Sequence, residues 1–261
     1  MIIGIDIGGT NTQGVLFERG KLKAKRSVEG NKLKHALECY RFLEKKASGR
    51  CRVVLTGGGS RKIRKRDFPV PFRKVGEIQA LGKGGQYLSG RGSIFVVSIG
   101  TGTAFVSVKN GRARHLGGTG VGGGTFYGLS KLLIGRDPDS TERMARRGTG
   151  KHDLTVGDIV GSGIGRIPAK ATASNFGRAS ASYGKKELAH STLKMIGETI
   201  GVMSYFAAKT VGQEKNIMLC GRVSLNPLVK KFIRDTAKLM GAKAEFPENA
   251  EYCAAIGAAL L

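Results

Sequence analysis

Residues 1–17 read MIIGIDIGGTNTQGVLF and residues 94–108 read IFVVSIGTGTAFVSV. In each, a short apolar run enters a tight glycine turn and a second apolar run leaves it, the pattern of a β-hairpin. The first turn carries Asp6 ahead of Gly8, Gly9 and Thr10, and the second presents Gly100, Thr101, Gly102 and Thr103. Glycine lets backbone N–H groups approach an anion that a Cβ would hold off. Two such hairpins, with an acid at the first, predict two related domains facing each other across a nucleotide. The plainer alternative is a pair of ordinary hairpins, because glycine marks turns of every kind.

Outward from these hairpins, strands and helices alternate. Helical spacing of apolar residues predicts helices over 31–47, 76–88, from about 125, and over 188–211, 226–240 and 251–261. Buried strands are expected at 51–56 and 216–220, each ending in glycine, with shorter extended pieces at 69–75 and 243–247. Residues 148–183 read as a loose, glycine-rich stretch. The alternation predicts an α/β protein with helices on the faces of its sheets. The expected division is 1–92 and 93–249, with the C-terminal helix, 250–261, crossing back to complete the first domain.

Composition narrows the class. The chain has 261 residues, 40% of them hydrophobic, enough for a folded core. No apolar run reaches the ~20 residues of a membrane helix, and the apolar start is broken by Asp6 with no basic segment before it, so neither a membrane partner nor a signal peptide is expected. Cys39, Cys51, Cys220 and Cys253 lack CxxC spacing, which argues against zinc or iron–sulfur sites and for reduced thiols in the cytoplasm. Net charge is +25, from 44 Lys+Arg against 19 Asp+Glu. Nucleic-acid binding, best carried by RKIRKRD at 61–67, is one reading. A solvated basic surface and attraction of anionic small molecules are the others. No aromatic-interleaved RNA motif, zinc finger or helix-turn-helix pattern accompanies the charge, so a nucleic-acid partner is not expected.

The motifs also stand in the order of a known family. GIDIGGT at 4–10, LTGGG at 55–59, VGEIQALGKG at 75–84, SIGTGTAF at 98–105 and LGGTGVGGGTFYGL at 116–129 are followed by DLTVGDI at 153–159, ATASNFG at 171–177, LCG at 219–221 and AAIGAAL at 254–260. With these the chain resembles the acetate/sugar kinase, Hsp70 and actin superfamily, and within it the type II pantothenate kinases. The runs at 117–129 and 173–177 are the most specific.

The resemblance implies two ribonuclease H-like domains of the actin-like ATPase kind, with ATP and Mg²⁺ in the cleft between them. It implies a cytoplasmic dimer built on the long helix at 188–211, with pantothenate as phosphate acceptor and coenzyme A or its thioesters as further ligands. Asp6 would hold Mg²⁺ through water; capping the turn is its plainer role. Gly8, Gly9 and Thr10, then Gly100, Thr101, Gly102 and Thr103, would surround the phosphates. Gly120, Gly122, Gly123 and Gly124 would lead them to a helix N-terminus, and Gly221 would pass beside the adenosine. Glu77 would be the general base, though an acid also suits the first turn of a helix for its own sake.

Thr101, Arg114 and His115 are the candidates on the acceptor side. Three positions depart from the family. Gln13 stands where lysine is usual, Ala104 where serine contacts the vitamin, and His115 where arginine holds its carboxylate. A fork of N–H donors suits a carboxylate better than imidazole does. The surplus of basic residues could replace the lysine, and a one-residue slip could let Arg114 replace the arginine. Neighbouring strand residues face opposite ways, so that slip is not automatic. A kinase for another hydroxy acid or sugar, or an ATPase that activates a partner enzyme, are the remaining alternatives.

Overall fold

The computed structural model describes residues 1–261. Its first sheet is built from β1 (Ile2–Ile7), β2 (Asn11–Glu18), β3 (Lys21–Glu29), β4 (Arg52–Thr56) and β5 (Phe72–Lys74), with α1 (Leu33–Glu44) between β3 and β4. After α2 (Glu77–Ser89) come β6 (Ile94–Ile99), β7 (Thr103–Lys109) and β8 (Arg112–Thr119), then α3 (Gly123–Leu129) and α4 (Pro138–Ala145). A small β9 (Leu154–Thr155), α5 (Val156–Val160) and β10 (Thr172–Ser174) lead to α6 (Lys185–Lys209). The chain closes with β11 (Ile217–Cys220), α7 (Pro227–Leu239), β12 (Ala244–Glu245) and α8 (Cys253–Leu260).

The two large sheets share one design. Their strand orders are β3-β2-β1-β4-β5 and β8-β7-β6-β11-β12. In each, the first three strands are antiparallel neighbours and the fourth and fifth join in parallel. The echo reaches atomic detail. Gly57 after β4 and Gly221 after β11 have φ of +84° and +88°, a region open to glycine. Each opens a 3-10 turn in which a serine three residues on, Ser60 or Ser224, donates to the glycine carbonyl at 2.7 Å. This is the actin-like ATPase fold.

Strand alternation decides which faces are cores. Ile3, Ile5 and Ile7 are fully buried in a cluster with Ala36, Cys39, Tyr40 and Leu43 of α1. Phe95, Val97 and Ile99 do the same in a cluster with α6 and α7 residues such as Leu193 and Phe232. The opposite faces turn inward, toward each other. There α8, which follows the second sheet, covers β1, β2 and β4 of the first, while α2, which follows the first sheet, covers β6, β7 and β8 of the second. We propose a division of 1–92 with 250–261 against 93–249, in which α8 joins the sheet it covers and α2 reaches over to cover the second sheet.

Expected helices at 31–47, 188–211, 226–240 and 251–261 correspond to α1, α6, α7 and α8. Asn226 caps α7 by accepting from the N–H groups of Leu228 and Val229 at 3.0 and 3.1 Å, with Pro227 following. Strand β3 was hidden by its charges, since only Leu22, Ala24 and Val28 of KLKAKRSVE pack against the core. The stretch 148–183 is less loose than its glycines imply. Glu187 accepts from the N–H groups of Thr149 and Gly150 at 2.7 and 3.0 Å, and Asp153 from that of Phe176 at 3.0 Å.

Helices α2 and α8 touch backbone to backbone. A Cβ on Gly84 would lie 1.9 Å from the Cys253 carbonyl oxygen, and one on Gly257 would lie 1.7 Å from that of Ala80. The obstacles are main-chain atoms, which cannot rotate aside. Gly257→Ala is therefore expected to cost about 3 kcal/mol or more and to lower the unfolding midpoint by at least roughly 5 °C. Differential scanning calorimetry of wild type and variant checks it; an unchanged midpoint would show that the crossing is looser than described.

Candidate active site

The inward faces leave a cleft of about 1460 Å³ between the two glycine hairpins. Asp6 reaches it because it alternates with Ile5 and Ile7, whose side chains go to the core. Its cross-strand partner is Gln13, on the same face. The equivalent pair in the second sheet is Ser98 with Ala104. All four line the cleft, so two of the family departures occupy matching places in the two halves.

Asp6 is half-buried, and its Oδ1 is shielded from solvent. Its Oδ1 has no hydrogen-bond partner, and the absence of a Cβ on Gly57 makes room for it, since one would lie 2.2 Å away. Burial first, and then the charge of Glu77, raise its pKa from 3.8 to about 7. A lone, desolvated carboxylate oxygen at a phosphate loop fits a hard cation that takes one protein ligand and completes its shell with water and phosphate. No group of three or more His, Cys, Asp or Glu forms an all-protein cage.

The two hairpin turns meet. The Thr10 and Thr101 hydroxyls lie 3.1 Å apart. Asn31 Nδ2 donates to the Gly9 carbonyl at 2.7 Å and steadies the first turn. Gly8, Gly9 and Thr10 line the cleft on one side, and Gly100, Thr101, Gly102 and Thr103 on the other. The glycines before α3 do something different from what was expected. The Gly123 and Gly124 N–H groups donate to the Gly100 and Thr101 carbonyls at 2.8 Å each, and the Gly122 N–H donates to Thr125 Oγ1 at 3.2 Å. The Gly123 and Gly124 donors thus brace the second turn, and the Gly122 donor closes the start of α3. Gly123 and Gly124 line the cleft, whereas Gly120 and Gly122 do not.

Gly221 lines the cleft, and Glu77, in the first turn of α2, stands exposed at it. The Val75 carbonyl accepts from Thr56 Oγ1 at 3.1 Å and ties the start of α2 to β4, the strand beside Asp6. The acceptor-side pair is split. A bulge at Leu116 shifts the β7–β8 register, so that His115 pairs with Val106 and Arg114 with Ser107. His115 thereby shares the α2 side with Val106, and neither it nor Arg114 lines the cleft. Arg114 faces the other way, into a shallow basic depression with Lys109, Arg112 and Thr210 at the end of α6. The slip that would bring Arg114 to the cleft is not made.

Nor does the surplus of basic residues reach the site. Seven carboxylates line the cleft, Asp6, Glu29 and Glu77 among them, against two basic side chains, Arg146 and Arg222. Arg222 and Asn11 went unremarked in the sequence. One is among 44 basic residues and the other follows a loop whose glycines took the attention.

A sequence model of the family described as Fumble matches residues 93–261. The type II pantothenate kinase of Oceanobacillus iheyensis is 30% identical, over 99% of this chain and 98% of its own length. The chain belongs to the type II pantothenate kinase family. That of Bacillus anthracis is 28% identical over 99% of the chain and 96% of its own length. Component A of the (R)-2-hydroxyglutaryl-CoA dehydratase from Acidaminococcus fermentans shares the fold, with a TM-score of 0.72 at 17% identity, over 99% of this chain and 96% of that one. In this type II pantothenate kinase family member, then, the two glycine hairpins and Glu77 share one cleft with Gln13 and Ala104, while His115 lies outside its lining.

The raised pKa of Asp6 has a measurable cost. Folding favours the neutral acid, so that stability is complete below pH 3.8 and is lost as pH rises through about 7. A shift of this size corresponds to roughly 4 kcal/mol. Asp6→Asn is expected to melt higher than wild type at pH 8 without nucleotide or metal, the gap closing toward pH 4. Calorimetric melts across that range check it; parallel curves would remove Asp6 as the cause.

Proposed function

We propose that this protein is an ATP-dependent kinase that phosphorylates the primary hydroxyl of pantothenate to 4'-phosphopantothenate, the first step of coenzyme A biosynthesis. The observation that carries the reading is the meeting of Asp6, two glycine phosphate loops and Glu77 in one cleft, in a chain 30% identical to a type II pantothenate kinase. Glu77 accepts the proton of the acceptor hydroxyl. The freed oxygen attacks the γ-phosphorus, the bond to the β–γ bridging oxygen breaks, and ADP leaves with that electron pair. Asp6 would hold Mg²⁺, which when bound would supply charge neutralisation on the phosphates. N–H groups and hydroxyls of the loops at 8–10 and 100–103 orient the chain in line with the acceptor. Closure of the cleft excludes water.

The turning away of Arg114 favours one second reading, a different hydroxy acid or a sugar as acceptor. An activating ATPase, which in its superfamily branch uses cysteines to hold a cluster at the dimer interface, is less well supported: Cys220 and Cys253 are buried inside one chain. No helix is long and apolar enough to cross a membrane. A cytoplasmic homodimer through α6 accords with the exposure of Val202 and Phe206 on that helix.

Coupled ADP release with Mg-ATP, with and without pantothenate, tests the proposal. Pantothenate-dependent turnover is expected in wild type, and Glu77→Gln should lose about 10²–10⁴-fold in kcat while KM for ATP changes little. Nucleotide binding without a pantothenate response would overturn the acceptor and direct a screen of hydroxy acids and sugars.

A further inference from the structure

The cleft is acidic inside a strongly basic protein. Of its two basic side chains, Arg146 is already engaged, with Nη2 at 2.5 Å from Glu142 Oε1. Arg222 is different. Its Nη1 donates across the cleft to Asn11 Oδ1 at 2.7 Å, a neutral amide rather than a carboxylate. Asn11 directly follows Thr10 of the first phosphate loop, and Arg222 directly follows Gly221 in the other half. Its root is firm. The 3-10 turn Arg222–Leu225 is pinned by Ser224 Oγ donating to the Gly221 carbonyl at 2.7 Å and runs into the Asn226 cap of α7.

A nucleoside triphosphate brings about four negative charges into a space that holds seven carboxylates. A metal held by Asp6 would offset part of that charge. Gln13, beside Asp6, offers no charge, and Lys and Arg elsewhere on the surface do not line the cleft. A guanidinium answers phosphate oxygens with a fork of donors, and its bond to a neutral amide is readily exchanged for one to an anion.

We propose that Arg222 is the cation that neutralises the phosphate chain in this cleft, supplied from the second half of the molecule in place of a lysine at position 13. The inference rests on the nucleotide reading above and adds to it the source of the missing charge.

The test is isothermal titration calorimetry of Mg-ATP and of adenosine against wild type, Arg222→Gln, and Arg222→Gln combined with Gln13→Lys, with thermal melts to verify folding. Arg222→Gln is expected to weaken Mg-ATP about 10–100-fold, the range for a lost charge-assisted hydrogen bond. It should leave adenosine within about twofold, and Gln13→Lys should restore about tenfold of the Mg-ATP loss, as a second cation at the same phosphates would. Mg-ATP affinity unchanged in Arg222→Gln overturns the inference, as does an equal loss for adenosine, which would mark a structural role. A double variant no tighter than Arg222→Gln overturns the exchange with position 13. Wild type that binds no Mg-ATP overturns the kinase reading itself, and this inference with it.

Discussion

The molecule depends on the crossing of α2 and α8. Each helix follows one sheet and covers the other, and they meet at Gly84 and Gly257 with carbonyl oxygens where a Cβ would otherwise sit. Close packing of this kind sets a distance that side chains cannot adjust. The spacing of the two sheets, and hence the width of the cleft above the crossing, follows from it. Asp6 on β1 and Glu77 on α2 belong to elements on either side of this contact, close enough for the charge of Glu77 to raise the pKa of Asp6. In the function proposed above, Asp6 would hold the metal and Glu77 would act as the base, both from the lining of one cleft. The glycine crossing brings them within electrostatic reach.

The near-repeat of one fold explains where chemistry became asymmetric. Asp6 and Ser98 hold equivalent strand positions, as do Gln13 and Ala104. The carboxylate stands on one side only, so the proposed metal site belongs to the first hairpin alone. The second hairpin is braced instead: the Gly123 and Gly124 amides are committed to its carbonyls. One turn thus gains a charge and the other gains rigidity from a helix start. Gly57 and Gly221 show the same divergence. Both have the same backbone shape, but Gly57 makes room for a carboxylate, whereas Gly221 presses against the Ile99 carbonyl and delivers Arg222.

Much of this was legible beforehand, for physical reasons. Alternation in β1 and β6, helical spacing in α1, α6 and α7, and the Asn226–Pro227 cap are local signals, and the hairpin glycines marked the cleft. What escaped depended on register or on distance. The side on which His115 and Arg114 lie is decided by a bulge at Leu116, and a one-residue shift leaves no mark in composition. The placement of α2 over the second sheet is a matter of topology, visible only as glycines that could equally have been helix defects. The engagement of the Gly123 and Gly124 amides requires knowing which carbonyls lie opposite. Arg222 was indistinguishable from its many basic neighbours until its partner, 211 residues away, was known.

The segregation of charge acts at two ranges. Within the ~8 Å over which salt leaves a field intact, an approaching polyanion meets a body with 25 excess positive charges and is drawn in. At the mouth it meets a lining of the opposite sign. On the proposed function, a bare nucleotide would be attracted to the surface but repelled by the cleft's carboxylates, whereas one complexed with a divalent ion would carry less charge past them. On the proposed function, discrimination between free and metal-complexed nucleotide would begin at entry, from the acids placed around the cleft, before any atom of the reaction has moved.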